Sequence, residues 1–365
     1  MIRLGMLSFW HLHGKDYAKA SQDNLNTQIV AIWDEDATRG SEEAERYGAD
    51  FHADLNELLA RDDIDAVVVD SPTNMHRDVI IAAARAGKHI FTEKVIAATQ
   101  RETEEIIREV EAAGVAFVTS MWRSDEAYAT AIKEIIDRGV LGEITELRIR
   151  DGHPMGLPSE KFPNGFLPPH FWSATEAQGG ALIDLCHPVY LVSHFLGLPA
   201  TVSAALGFHT GHEVEDNAVV TMTYPSGAVA IAETSYISAF TPFSIEAHGT
   251  LGSLVFSIDG IGEMVARHRD PEVAAAGAAS TTGPTGLLRV RSAQLSNQWE
   301  EIELPSGEWP KAFEKWVSLI EAGTTAPQNV ALAATLSSIV EAAYLSHSTR
   351  AFVEIANLEH AESTP

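Results

Sequence analysis

Residues 2–120 alternate short β-branched or apolar runs with longer stretches of helical periodicity, a pattern that few architectures accept. The runs are IRLGMLS, TQIVAIWD, IDAVVVDSP, KHIFTEK and VAFVTS. Between them lie HGKDYAKASQDN, ATRGSEEAERYG, LNELLARDD, NMHRDVIIAAARAG and TQRETEEIIREVEAAG. Strands separated by helices predict an α/β domain with a doubly wound parallel sheet of Rossmann type, because parallel neighbours need a crossover. Gly87 and Gly114 fall just past the last periodic residue of their segments, where helix C-caps belong.

After RSDEAYATAIKEIIDRGVLG the period changes to strand-like alternation, in ITELRIRDGH, ATVSAALGFHT, NAVVTMTYPSGAVAIAETSYI, FSIEAHGTLGSLVFS and LLRVRSAQLSNQWEEIELP. Pro225, Ser226 and Gly227 mark a hairpin in that series. The expectation is an α+β domain built on a large, mostly antiparallel sheet, with the Ala/Gly/Thr-rich residues 273–286 as a mobile loop. WPKAFEKWVSLIEAG and NVALAATLSSIVEAAYLSHSTR form a closing helical pair. Read along the chain, the boundaries are 1–122 for the first domain, 123–350 for the second and 351–365 for a tail.

Composition narrows the partners. With 365 residues the chain is long enough for two lobes, and 51 acidic against 25 basic residues give a formal charge of −26. Such a surface repels phosphate backbones and anionic membranes, so neither nucleic acid nor a membrane is expected as a partner. No apolar stretch approaches the roughly 20 residues of a membrane span and no signal core opens the sequence, which predicts a cytoplasmic protein. Cys186 is the only cysteine, which rules out an intrachain disulfide and argues against a cysteine-based zinc site.

The first strand-to-helix turn, LGMLSFWHLHGKDYAKA, is where a dinucleotide-binding chain carries its G-x-G-x-x-G sequence. Here Ser8 and Trp10 stand at glycine positions, and Gly5 and Gly14 have the wrong spacing. The helix N-terminus still offers backbone N–H groups to a phosphate. His11 and His13 share a face if the backbone is extended, and could meet a metal with His76 or His187. The more ordinary reading is that they replace glycine N–H groups or are loop residues, and no metal is assigned. Asp34 ends the second strand at the distance expected for an acid that accepts ribose hydroxyls, and it also suits a helix N-cap.

IDAVVVDSPTNMH…AAARAGKHIFTEK resembles a segment of the glucose-fructose oxidoreductase and inositol dehydrogenase (Gfo/Idh/MocA) family that ends in its Glu-Lys-Pro motif. MWRSDEAYATAIKEIIDRGVLGEITELRI is similar to that family's bridge between domains, and GGALIDLCHPVYLVSHFLGLP to its active-site helix. The resemblance runs in order from about Ile2 to Arg350. It implies an oxidoreductase of sugars, polyols or small metabolites with bound NAD(P), in which Lys94, Asp184 and His187 are catalytic. Ser8, Phe9, Trp10, His11, Asp34, Ser71, Pro72, Asn74, His76, Glu93, Lys94 and Arg123 would then bind the cofactor. Because Asp34 repels a 2′-phosphate and no base follows before Arg39, NAD is expected in preference to NADP.

A histidine that exchanges the hydroxyl proton and a lysine that stabilises negative charge on the oxygen are suitable groups for hydride transfer from an alcohol. His153, His170 and Trp172, in the proline- and aromatic-rich loop before the active-site helix, are candidate contacts for a sugar-like substrate. The family pattern is edited at Val95, which stands where the family has proline, and in DLCHP, which sets Asp184 and His187 three apart instead of four. Pro188 further disfavours regular helix at His187. Two other readings are an enzyme using trapped NAD for elimination or hydrolysis, and a non-catalytic sensor. A sheet with one apolar face would make a homodimer or homotetramer.

Overall fold

The computed structural model describes residues 1–160, 162–239, 241–258, 286–304 and 311–358. Their contacts divide the chain into two compact units, Met1–Trp122 with Pro310–Ser337, and Arg123–Trp309 with Ser338–Pro365. The segment 273–285 and the end of the tail, 359–365, lie outside the described residues.

The first unit holds a six-stranded parallel sheet of β1 (Ile2–Leu7), β2 (Thr27–Trp33), β3 (Asp50–His52), β4 (Ala66–Val69), β5 (His89–Thr92) and β6 (Phe117–Thr119), in the order β3-β2-β1-β4-β5-β6. This is the α/β fold expected from the alternating pattern. All four residues of β4 are buried, as a strand covered on both faces requires. The crossovers are α1 (Gly14–Asp23), α2 (Ala37–Tyr47), α3 (Leu55–Leu59), α4 (His76–Arg85) and α5 (Gln100–Ala113). Asp36 caps α2 by accepting from the Thr38 and Arg39 N–H groups, and Thr99 caps α5 through the Glu102 N–H. Gly87 and Gly114 take the left-handed conformation after their helices, with φ of 70° and 65°.

The second unit holds a nine-stranded sheet: β7 (Ile144–Gly152), β8 (Thr201–Gly207), β9 (Asn217–Thr223), β10 (Val229–Ser235), β11 (Phe243–Gly249), β12 (Gly252–Ile258), β13 (Leu287–Ser292), β14 (Glu300–Ile302) and β15 (Val353–Glu354). Its order is β14-β13-β12-β11-β7-β10-β9-β8-β15, and β7 with β10 is the parallel pair in an otherwise antiparallel ladder. The hairpin joins β9 to β10, with Gly227 at φ 89°. One face carries α6 (Ala127–Asp137), α7 (Ala181–Asp184) and α8 (His187–Leu196), with α8 packed on β7 and β10. The strands alternate, so the other face shows Val219, Val229, Leu287 and a cluster in which Arg148 and Arg150 both pair with Glu233.

These units differ from the linear boundaries in two respects: β15, from the expected tail, pairs with β8 in the second unit, and one helix leaves the second stretch for the first unit. Helix α9 (Ala312–Ala322) returns to the first unit, where Phe313 and Trp316 sit 5.6 Å from the Phe91 ring and the Trp316 indole donates to the Ala116 carbonyl at 3.2 Å. An aromatic pair that completes a core is a long-range fact that no local composition change announces. Helix α10 (Pro327–Thr349) contributes to both units. It corrects the expectation about apolar length, because it is long and apolar enough, by length and composition, to cross a membrane. Leu336, Ile339 and Val340 on it are fully buried within the protein, which is how a core helix passes the same test.

Candidate functional site

In a doubly wound sheet ligands enter at the carboxyl ends of the strands, where the strand order reverses. That reversal lies between β1 and β4, and five residues stand at carboxyl ends, four of them expected from the sequence: Ser8 after β1, Asp34 after β2, and Glu93 with Lys94 after β5, joined by Asp70 after β4. Ser8 adopts φ 79°, the left-handed conformation for which a glycine is the usual choice. The turn therefore keeps a glycine-like backbone with a serine in it. Its N–H groups, however, are committed inside the protein. Phe9 donates to Asp34 Oδ2 (3.0 Å), Trp10 to Ser8 Oγ (3.0 Å), His11 to the Asp70 carbonyl (3.3 Å) and His13 to His11 Nδ1 (3.2 Å). Phe9 and Trp10 are buried, with Phe9 stacked on Tyr47.

Asp34 is buried and fully engaged. Besides Phe9 it accepts from the Asp36 N–H at 2.9 Å and from the Arg39 Nε and guanidinium NH2 at 2.9 and 2.6 Å. Gly40 makes the close approach possible, because a Cβ there would lie 2.7 Å from Asp34 Cβ and 2.6 Å from the Phe51 ring. Arg39 is the first base to follow the acid in the sequence. One helical turn brings it back as a bidentate partner, with Glu35 as its second carboxylate at 2.5 Å.

Glu93 and Lys94 are both buried, with Lys94 Nζ 2.9 Å from Glu93 Oε1, while the Tyr17 hydroxyl donates to Glu93 Oε2. Burial pushes the Glu93 carboxyl up, but Lys94, His11 and His13 outweigh it and hold the group at about 2. The Lys94–Val95 peptide bond is cis. His76 opens α4 with its two ring nitrogens 2.7 Å from the Val95 carbonyl and 3.0 Å from that of Ser71, and burial lowers its pKa. Ser71 and Pro72 are buried beside it and Asn74 is exposed. Asp70, which the sequence reading did not single out, is fully buried, and burial together with the Glu93 charge raises its pKa well above the carboxylate range.

In the second unit the expected active-site helix is two helices. Asp184 ends the short α7 and His187 begins α8, with Leu185 and Cys186 between them outside regular helix. This corrects the expectation of a single active-site helix; Pro188 at the second position of α8 is tolerated because first-turn N–H groups need no intrahelical partner. Each residue meets a tyrosine. Tyr236 donates to Asp184 Oδ2 at 2.8 Å, and His187 Nδ1 lies 3.1 Å from the Tyr190 hydroxyl.

Neither tyrosine was visible as a site residue in the sequence, because Tyr236 comes from beyond β10, 52 positions away. Glu215 accepts from the Gly180 and Leu182 N–H groups and the Tyr344 hydroxyl, all at 2.9 Å, and so fastens the start of α7. Arg123 is a buried partner of Asp151 (2.8 Å), and its N–H donates to the Tyr190 hydroxyl at 3.1 Å. Trp172 stacks on His212 at 4.0 Å and meets Tyr236 edge-on, and His153 stacks on Tyr236 at 5.3 Å. His170 is half-buried against Phe171, its ring 5.2 Å away.

Comparison with known proteins settles the family. Residues 5–120 match the oxidoreductase family with an NAD-binding Rossmann fold, and residues 129–255 match the GFO/IDH/MocA C-terminal domain. The chain belongs to the Gfo/Idh/MocA oxidoreductases. It is an enzyme of that family, although a divergent member. The 1,5-anhydro-D-fructose reductase of Ensifer adhaerens is 28% identical over 237 residues, 62% of this chain and 68% of that relative. Among solved structures, levoglucosan dehydrogenase in complex with NADH and levoglucosan is similar with a TM-score of 0.76, at 20% identity over 97% of this chain and 99% of that one. A 3-ketoreductase from Actinomadura kijaniata in complex with NADP gives a TM-score of 0.74 at 21% identity, covering 94% and 97%. These neighbours share the fold; one is in complex with NADH and the other with NADP.

Proposed function

We propose that this Gfo/Idh/MocA member is an NAD-dependent oxidoreductase that interconverts a secondary hydroxyl and a ketone on a sugar, polyol or related small metabolite. The observation that carries the reading is Lys94, buried at the carboxyl end of β5 and ion-paired with Glu93, beside a Rossmann switch point. NAD, when bound, supplies the hydride acceptor. Ser8, Phe9, Trp10 and His11 on the turn, the segment Ser71, Pro72, Asn74 and His76, and Asp34 with Glu93 are the residues that would hold it. The strand-end position and the left-handed Ser8 suit a dinucleotide, and the committed N–H groups of the turn predict weaker binding than a glycine turn provides.

Lys94 donates a hydrogen bond to the oxygen on which negative charge develops. His187 takes or returns the hydroxyl proton, and Asp184, held by Tyr236, orients it. Arg123 is a positioning residue in this scheme, since it fixes the tyrosine that faces His187. Trp172 and His153 present aromatic faces to a polyhydroxylated ligand, with His170 at their margin. The class of substrate follows the named activities of the relatives. A soluble cytoplasmic homodimer or homotetramer, joined through the open face of the nine-stranded sheet, completes the proposal.

One observation favours a second cofactor. Arg39 neutralises Asp34 and is itself a suitable partner for a 2′-phosphate. Calorimetric titration of nucleotide-stripped protein with NAD, NADH and NADP decides between them. Tighter NAD binding, weakened about tenfold by Asp34→Ala, supports the proposal. A preference for NADP that Arg39→Ala abolishes would reassign the cofactor, and no binding of either at millimolar concentration would remove the dehydrogenase reading.

A further inference from the structure

The opening turn carries a cluster of ligand-type side chains, two of which, His11 and Glu93, the cofactor reading also places beside the dinucleotide. His11, His13 and Glu93 each bring one ligand-type atom to a group in which all three lie within 4.8 Å of one another. His11 and Glu93 are buried and His13 is half-buried. Two imidazoles and one carboxylate form the donor set of many three-ligand divalent metal sites, which leave a further position for an oxygen ligand. We infer that His11, His13 and Glu93 bind a divalent transition-metal ion of the zinc or cobalt type.

Two further features support the inference. His13 Nδ1 lies 3.0 Å from Asp16 Oδ2; with the ring donating there, Nε2 is the nitrogen left with a lone pair for an ion. A carboxylate on the far nitrogen is the usual support of a metal-binding histidine, because it fixes tautomer and ring orientation. The second feature is a buried carboxyl group without a hydrogen-bond partner. Asp70 is fully buried, and neither of its carboxylate oxygens has a hydrogen-bond partner among the described residues. Its carboxylate borders the same turn, since a Cβ on Gly14 would lie 2.5 Å from Asp70 Oδ2. Burying a carboxyl group without a hydrogen-bond partner is costly, and a metal ion held beside it would supply a partner.

The ligand chemistry restricts the ion. Imidazole nitrogens suit zinc, cobalt, nickel or iron, whereas magnesium and calcium call for an oxygen shell. Glu93 can ligate while keeping Lys94 and Tyr17, since each carboxylate oxygen has two lone pairs. His11 gives up the 3.2 Å contact from the His13 N–H if the lone pair at Nδ1 turns to the ion. His13, with its side chain 39% exposed, is the member of the cluster that faces solvent.

The test uses the full chain, treated with a chelator and dialysed, then titrated with Co2+ by visible absorption and with Zn2+ by calorimetry. One equivalent should bind, with a cobalt spectrum typical of nitrogen and oxygen ligands. His11→Gln and His13→Gln should each weaken binding at least tenfold, and Asp16→Asn by several-fold. Wild-type affinity in the His13→Gln variant would overturn the site, since the chain has 15 histidines that could bind metal elsewhere. So would the absence of stoichiometric binding, or tighter binding of Mg2+ than of Zn2+. Because His13 is half-exposed, its variant carries the test if His11→Gln fails to fold, and thermal melting identifies that case. None of these readouts involves a dinucleotide, so the metal site and the cofactor reading fail separately.

Discussion

The two units assemble their candidate groups by different means. In the first, Ser8, Asp34, Asp70, Glu93 and Lys94 all occupy strand ends of one parallel sheet, so the fold delivers them together once the strand order is set. In the second, Asp184 and His187 sit at a break between two helices, and each is held by a tyrosine hydroxyl. The first arrangement depends on topology, the second on side-chain contacts across the fold. A strand-end site should therefore tolerate loss of a neighbouring side chain better than it tolerates loss of its sheet packing. The second should respond to deletion of a single hydroxyl.

The largest effect expected is structural. Trp316→Ala removes an indole packed on Phe91 and hydrogen-bonded to the Ala116 carbonyl, at a cost of about 3–5 kcal/mol. Denaturant unfolding measures the loss, and hydrogen exchange should place it in β1–β6 and not in the nine-stranded sheet. Protection lost equally in both sheets would break the comparison. Next comes Lys94→Ala, expected to lower kcat by about 10²–10³-fold, the usual effect of removing a donor to a developing oxyanion. It also strands Glu93 in a buried site, so its melting temperature should fall as well.

Tyr236→Phe should lower kcat by roughly tenfold with little change in KM for the dinucleotide, since it removes about 1–2 kcal/mol of hydrogen bonding to Asp184. A comparable loss of dinucleotide affinity would show that the second unit's pairs are not local to it. The pairing with Tyr190 behaves alike in this scheme, with Tyr190→Phe acting through His187.

How far the sequence revealed this follows from the same contrast. The parallel sheet, its helices and its glycine C-caps are local periodicities, and they were legible. So were Lys94 and Asp34, because a strand-end residue is fixed by the strand before it. Arg39 was visible, but its bidentate hold on Asp34 depends on helix geometry and on Gly40 admitting the approach. Tyr236, Glu215 and the return of α9 were not legible, because each acts on a segment far along the chain. The break at Leu185–Cys186 had a local signal in Pro188, yet a proline at the second helical position marks a helix start as readily as it disturbs a continuing one.

The smallest effect expected tests whether the strand-end site carries a burden of its own. Asp70 titrates in the ordinary carboxylate range when the chain is unfolded and well above it when folded, chiefly because burial disfavours its charge. Between those two values the folded protein holds the proton that the unfolded chain has lost. Stability from this group is therefore fully present at acid pH and declines as pH rises through that interval. Asp70→Asn removes the titration. It should stabilise the protein by about 1 kcal/mol at pH 8, the lower end of the cost of an unsatisfied buried group, with the gain shrinking toward pH 4. Melting curves across that range, run without added metal, check it. A gain that grows on acidification would reverse the sign and show that Asp70 is held as a paired anion, in which case the first unit, like the second, would rest on a side-chain pair and not on strand ends alone.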